Sequence, residues 1–203
     1  MAEQGWRERK KTLTRRALIE AGLRLFRDQG YQETSIAQVA AAAGVAPRTF
    51  FGYFAGKEDL VFADTPARIE TALRVVDERG PEDTVADVLT RVAEETIAGN
   101  PGDVDLLGLA SGRMDLVMST PSLQGAALHR LWTTEQRLAG ALLRAFPDDL
   151  DEVSAAMVVG SFAGAFMGAA GASLRRGDRP DEVRAAVGRA VRHAARGIRA
   201  GVG

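Results

Sequence analysis

Cysteine is absent from the 203-residue chain, so disulfides, thiolate nucleophiles and cysteine-ligated metals are excluded. Histidine occurs only at His129 and His193, and the chain has no His-Glu-x-x-His pair. The charged N-terminus "MAEQGWRERKKTLTRR" has no apolar core of the kind that a signal peptide needs. From these absences we expect a cytoplasmic protein without a metal site.

Motifs typical of enzymes are also missing. The chain contains neither a Gly-x-Ser-x-Gly elbow nor a Gly-x-Gly-x-x-Gly fingerprint. The stretch "GYFAGKE" resembles a phosphate loop, but it has too few residues between its glycines and no Ser or Thr after Lys57. We therefore expect no catalytic residues and no cofactor, and a small helical enzyme is the least favoured alternative.

Helical periodicity dominates what is present. Leu18, Ala21, Leu25 and Phe26 have helix spacing, and Gly30 supplies a stop. No run of alternating β-branched residues occurs. The sequence predicts an all-α fold of about nine helices, with a DNA-binding domain over 1–56 and a second helical domain over 57–203. In the second domain, breaks at prolines predict helices over 57–79 (kinked at Pro66), 82–98, 102–119, 121–146, 149–175 and 180–199.

The stretch "TSIAQVAAAAGVAPRTFFGYF", residues 34–54, predicts two short helices joined by a tight turn. Ser35 can cap the first helix, and Gly44 can end it in a left-handed conformation. Pro47 fits the first turn of the second helix. Phe50 and Phe54, four residues apart, are expected to anchor that helix from inside.

Positive charge gathers near this motif. Residues 1–60 carry ten Lys and Arg against seven Asp and Glu. Arg7, Lys10 and Lys11 belong to a basic segment suited to phosphates, and the second helix presents donors and flat groups able to meet bases. An ordinary solvated helix face is the alternative for each. Together they favour DNA binding, with the second helix contributing Pro47, Arg48, Thr49, Phe51 and Tyr53 beside Lys57.

Residues 14–60 resemble the DNA-binding domain of the tetracycline-repressor (TetR) family. The matching marks are Leu25-Phe26, Gly30-Tyr31, Thr34-Ser35, Ala43-Gly44-Val45, Thr49, Phe51, Tyr53-Phe54 and Lys57-Glu58-Asp59-Leu60.

The resemblance implies a homodimeric, ligand-responsive transcriptional repressor on a palindromic double-stranded operator. It implies that Arg48 reads a base, that Tyr53 and Lys57 contact phosphates, and that Ser35, Thr49 and Phe51 also face DNA. Ala46 departs from the frequent Ser cap, and Phe51 lacks the hydroxyl of the usual Tyr. An architectural DNA-binding protein without an effector is the other alternative, although it would not need the helical region after residue 80.

Residues 153–174 form an uncharged run that is long enough to span a membrane. Fourteen of its twenty-two residues are Gly, Ala or Ser, which favours close helix packing over lipid contact. Gly160, Gly164 and Gly168 lie on one face, and an intrachain core contact is one interpretation. By the resemblance, which places the dimer interface on the last two helices, this face is expected to join two subunits, with no membrane partner.

The middle helices supply the candidate effector site. Residues 111–132 resemble a TetR-family group associated with acyl-coenzyme A-like ligands through Arg113, Pro121, Leu123 and Trp132. Planar lipophilic compounds are the alternative ligands, and each side chain could also be plain core. The expected contacts are Arg113, Met114, Val117, Met118, Leu128, Trp132 and Met157.

Overall fold

A computed structural model describes residues 2–98 and 110–201, and these residues form helices joined by short turns. The predicted all-α fold is confirmed, with ten helices and no strand in the described ranges. The helices are α1 (Ala2–Gln29), α2 (Ile36–Ala42), α3 (Pro47–Phe50), α4 (Glu58–Val61), α5 (Thr65–Asp77), α6 (Val85–Ala98), α7 (Ala110–Ser119), α8 (Pro121–Ala145), α9 (Glu152–Arg175) and α10 (Pro180–Gly201).

The prediction of one kinked helix over residues 57–79 is wrong. Helix α4 ends at Val61, and α5 begins anew at Thr65 with Pro66 in its first turn. A proline there costs no hydrogen bond, because the first amides of a helix have no intrahelical partner. Pro66 therefore starts a separate helix. The predicted helix start near Pro101 lies outside the described residues.

The chain divides into two compact units. One comprises residues 1–63 and 112–127, and the other comprises residues 64–111 and 128–203. The whole segment 1–56 that is predicted to bind DNA falls in the first unit. Helix α8 contributes residues 121–127 to the first unit and residues 128–145 to the second.

The first unit is built around α1. Leu18, Phe26 and Phe50 are buried, and the Phe50 ring lies 5.6 Å from that of Phe54. A Cβ atom at Gly22 would stand 2.4 Å from Cδ1 of Leu60, so any larger residue would force the buried Leu60 side chain to shift. The guanidinium of Arg15 donates to the carbonyl of Ala63 and lies over the Phe54 ring. These contacts attach α4 to α1.

The second unit has its own core, formed by α5, α6, α9, α10 and the second part of α8. Val76, Leu89, Leu142, Val158 and Val187 are all buried in it. Helix α10 packs against both α9 and α6, and α5 packs against α6. The core therefore joins all five helices of this unit.

Helix α9 begins at a side-chain cap. The carboxylate of Asp151 accepts a 2.7 Å hydrogen bond from the backbone amide of Ser154. This hydrogen bond lowers the pKa of Asp151, because it favours the ionised carboxylate. The cap accounts for the start of the helix within three residues of the predicted position.

Helix α9 is the one described helix that is long and apolar enough, by length and composition alone, to cross a membrane. Core helices pass the same test, so a single such helix does not indicate a membrane protein. One face of α9 is buried in the second unit, through Ala155, Val158 and Phe162. That face packs against protein.

Lys57 closes the loop between α1 and α2. Its ammonium nitrogen donates to the carbonyl oxygens of Tyr31 at 2.5 Å, Thr34 at 3.1 Å and Gln32 at 3.3 Å. The same ammonium lies 4.4 Å from the centre of the Tyr31 ring. Three donors and three acceptors match, so the half-buried lysine fixes the loop that leads into α2.

We predict that Lys57→Met destabilises the chain, because three carbonyl groups lose their charged donor. Hydrogen bonds to charged groups contribute roughly 1.5 to 3 kcal/mol, and the half-exposed position favours the lower end. Urea unfolding followed by circular dichroism should show a lower midpoint at unchanged slope. Lys11→Met, the same change at an exposed position of α1, is the control. Equal midpoints for the two variants would contradict the role given to Lys57.

Candidate nucleic-acid interface

The turn between α2 and α3 forms as the sequence predicts. Ser35 caps α2 with a full capping box, in which its hydroxyl accepts from the Gln38 amide and the Gln38 side chain accepts from the Ser35 amide. Gly44 has φ of 70°, a left-handed conformation that suits glycine. Ala46 precedes α3 and makes no side-chain cap, as expected from the missing serine hydroxyl.

Helix α3 is a single turn that continues as a non-helical turn to Tyr53. Phe50 and Phe54 are buried, so their predicted anchoring role is confirmed. The opposite side carries the predicted DNA-facing residues. Pro47, Arg48 and Phe51 are exposed there, whereas Thr49 and Tyr53 are half-buried.

The first part of α1 extends the helix face that packs into the first unit. Stepping back from Leu18 by three or four residues reaches Thr14, then Lys10 and Lys11, then Trp6 and Arg7. Residues 6–13 are all exposed, so no core contact holds them. The basic segment is thus a regular helix, and the face that continues from Leu18 carries Trp6 and three cations without being buried.

This face of α1 and the turn before α3 line an open groove of about 570 Å³. Arg7, Lys10 and Lys11 line it from α1, and Thr49 and Tyr53 line it from the α3 side. The structure therefore brings together five of the ten predicted DNA-contacting residues around one cationic groove. The groove is also lined by Trp6, Thr14, Gly44, Val45 and Ala46, which the sequence analysis did not assign to DNA.

The other five predicted DNA contacts do not line the groove. Pro47, Arg48 and Phe51 lie on the exposed side of α3, and the Ser35 hydroxyl already serves the capping box. Lys57 has its ammonium on backbone carbonyls. A phosphate contact by Lys57 stays a prediction.

The predicted effector residues are divided between the two units. Arg113, Val117 and Met118 belong to the first unit, whereas Leu128, Trp132 and Met157 belong to the second. Met118, Leu128, Trp132 and Met157 are each more than half exposed. They are therefore not core residues in the single chain. The side chain of Met114 lies outside the described residues.

The predicted dimer glycines lie on the part of α9 that its own chain leaves open. A Cβ atom added at Gly160, Gly164 or Gly168 would meet no atom within 4 Å. Val153 and Met167 on the same helix are exposed. Among the described residues, no group of three His, Asp or Glu side chains is arranged to hold a metal ion.

Sequence comparison finds relatives of this chain among bacterial transcriptional regulators. The sequence profile of the bacterial regulatory proteins of the tetR family matches residues 18–63. The chain is 35% identical over 152 residues to the HTH-type transcriptional regulator TcmR of Streptomyces glaucescens, covering 73% of this chain and 67% of TcmR. It is also 32% identical over 103 residues to the regulator BetI of Brucella melitensis, but covers only 49% of that protein.

Solved structures show the same fold. A transcriptional regulator from Aquifex aeolicus superposes with a TM-score of 0.55 at 16% identity, covering 91% of this chain and 99% of that one. A TetR family regulator from Marinobacter aquaeolei gives a TM-score of 0.51 at 19% identity, with 92% and 97% covered. The capped α2, the glycine turn, the cationic groove and the match to TcmR agree, and the chain belongs to the TetR family of DNA-binding transcriptional regulators.

Proposed function

We propose that this protein is a cytoplasmic, homodimeric repressor that binds a palindromic operator and is released by a small lipophilic or acyl-coenzyme A-like effector. The observation that carries the proposal is the groove between α1 and the turn before α3, next to the exposed side of α3. The groove offers cations for phosphates, and Arg48 is exposed on α3, one residue before the groove-lining Thr49.

Base reading and backbone binding fall to different residues. Arg48 is exposed on α3 and has a guanidinium that can donate two parallel hydrogen bonds to a guanine edge. Lys10 and Lys11 lie in the groove, where an ammonium acts as a point charge on phosphates. Sequence preference should therefore depend on Arg48, and salt dependence on the lysines.

Dimerisation would use the open face of α9. The helix carries no charge from residue 153 to 174, and Val153 and Met167 are 76% and 46% exposed. The three glycines offer room for a partner helix to pack closely, as small residues do at other helix interfaces. A second copy would cover this apolar surface. It would also supply a second helix α3, which could bind the other half of a palindromic operator.

The effector would contact α8. Leu128 and Trp132 are 66% and 62% exposed and lie four residues apart, so they share one side of the helix. Such an apolar pair suits an acyl chain or a planar ring. Arg113, on α7, belongs to the other unit, and its contact with an acidic headgroup stays a prediction from the sequence.

Helix α8 also offers a route from effector to DNA. Its residues 121–127 belong to the unit that contains the groove, and Leu128 and Trp132 follow on the same continuous helix. The segment 57–79, which leads from α3 into the second unit, is interrupted between Val61 and Thr65 and is not one continuous helix. We therefore assign the coupling to α8. A ligand that favours one position of this helix would change the distance between the α3 helices of the two subunits.

Arg48→Ala should relax the base preference. Removing a bidentate base contact costs about 1 to 3 kcal/mol at one position of the site. Selection from a randomised duplex library, followed by affinity measurements on single-base variants, gives the preference before and after the change. Lys11→Ala is the comparison, since loss of a phosphate contact should weaken all duplexes alike and lower the salt slope by about one. An unaltered base preference in Arg48→Ala would refute the assignment.

Gly164→Leu should separate the subunits. The leucine fits in the single chain, because nothing lies within 4 Å of the added Cβ atom, but it would hold two α9 helices apart. Light scattering coupled to size-exclusion chromatography should find a dimer for the wild type and a monomer for the variant. Gly125→Leu, at a similarly open position on α8, is the control and should remain dimeric. A monomeric wild type at micromolar concentration would end the dimer proposal.

Trp132→Ala should abolish the effector response while leaving operator binding without effector near normal. Mass spectrometry of protein purified under native conditions shows whether an acyl thioester or another lipophilic compound is retained. Oleoyl-coenzyme A and a planar lipophilic dye then serve as probes in a titration against labelled operator. The active probe should weaken operator binding by roughly 5- to 150-fold in the wild type, the range typical of coupled sites. An equal response in the variant would contradict the placement of the effector on α8.

A further inference from the structure

One large aromatic side chain in the groove has no place in the packing of the fold. Trp6 is 59% exposed and lies in a stretch of α1 in which every residue from 6 to 13 is exposed. It nevertheless lines the groove together with Arg7, Lys10 and Tyr53. The indole ring is therefore held beside the cations without being part of a core.

One contact within α1 favours a particular position of this ring. Lys10 lies one helical turn after Trp6, and its ammonium stands 5.2 Å from the centre of the indole ring. Cation–π contacts at exposed sites are weak, but they bias a side chain toward one orientation. The contact therefore favours a position of the ring next to Lys10, another residue that lines the groove.

We propose that Trp6 packs on the sugar–phosphate backbone of one strand of the operator duplex, with its indole N–H available to a phosphate oxygen. The proposal rests on the proposed DNA-binding function and adds a contact that carries no charge. An indole offers a flat apolar face for a deoxyribose and one polar donor at its edge. Arg7, Lys10 and Lys11 neutralise the phosphates around it, and the hydroxyls of Thr14 and Thr49 lie along the same groove.

The contact should be independent of base sequence. The groove lies between α1 and the turn Gly44–Ala46, whereas Arg48, the expected base reader, is on the exposed side of α3 and does not line it. Contacts to sugar and phosphate fix the register of a protein on DNA without reading bases. Trp6 should consequently raise the affinity for every duplex by a similar factor.

Tryptophan emission tests the contact directly, because Trp6 and Trp132 are the two tryptophans of the chain. Wild-type emission should change on addition of the library-selected operator and also of a scrambled duplex. In Trp6→Phe this change should be lost, while Trp132 remains as the internal reference. Binding itself is followed separately by the anisotropy of dye-labelled DNA.

Affinity and salt dependence complete the test. Trp6→Leu should weaken both duplexes by a similar factor of roughly 5, the low end of the range for a base stacked on an aromatic ring, because a sugar offers less flat surface than a base; Trp6→Phe should weaken them less. The slope of log affinity against log salt should stay unchanged, since no charge is lost. Leu13→Ala is the matched control, because Leu13 is an exposed apolar residue of α1 that does not line the groove.

The outcomes separate this inference from the proposed function. If the wild type binds neither duplex, the DNA-binding proposal fails with it. If the wild type binds but Trp6→Leu matches it in affinity, Trp6 makes no contact and the inference alone is overturned. A loss confined to the operator would mean that Trp6 reads bases, and a lower salt slope would mean that it acts by holding Lys10. Either result overturns the direct backbone contact.

Discussion

The position of the helix–turn–helix motif, α2 and α3, depends on one ammonium group. Lys57 binds three carbonyl oxygens of the loop after α1, and that loop leads directly to Ser35, the cap of α2. The start of α2 fixes where Gly44 turns the chain, and the turn fixes the direction of α3. A change at Lys57 would therefore reach Arg48 without any contact between the two residues. Two further contacts hold the same loop: the Thr34 hydroxyl donates to the carbonyl of Gly30 at 2.7 Å, and the Tyr31 ring packs edge-on against Phe26.

The features that were predicted correctly are those whose sequence signal lies within a few residues. The capping box at Ser35, the left-handed Gly44 and the buried pair Phe50 and Phe54 are each specified by residues within one or two helical turns. The helix–turn–helix motif and the all-α fold could therefore be predicted. Pro66 was misjudged because a proline signal is ambiguous: the same residue kinks a helix or starts one, depending on whether the amide it lacks would have been bonded.

Contacts between distant residues could not be predicted in the same way. Lys57 reaches carbonyls twenty-three to twenty-six residues earlier in the chain, and nothing in its neighbourhood signals this. A DNA contact by Trp6 was not predicted, because Trp6 comes close to the turn at Gly44 only in the folded unit. A signal did exist: Trp6 precedes Lys10 by four residues and continues the inward face of α1 from Leu18.

The exposed apolar side chains lie in a pattern that the fold alone does not explain. Trp6 is in the cationic groove, Leu128 and Trp132 share a side of α8, and Met157 and Met167 lie on α9. These side chains lie outside the buried cores, so they add little to the packing of the single chain. Their hydrophobic free energy remains available for binding other molecules. Because Trp6 is uncharged and its neighbours in the groove are cationic, the DNA contact would combine a salt-insensitive contribution with a salt-sensitive one.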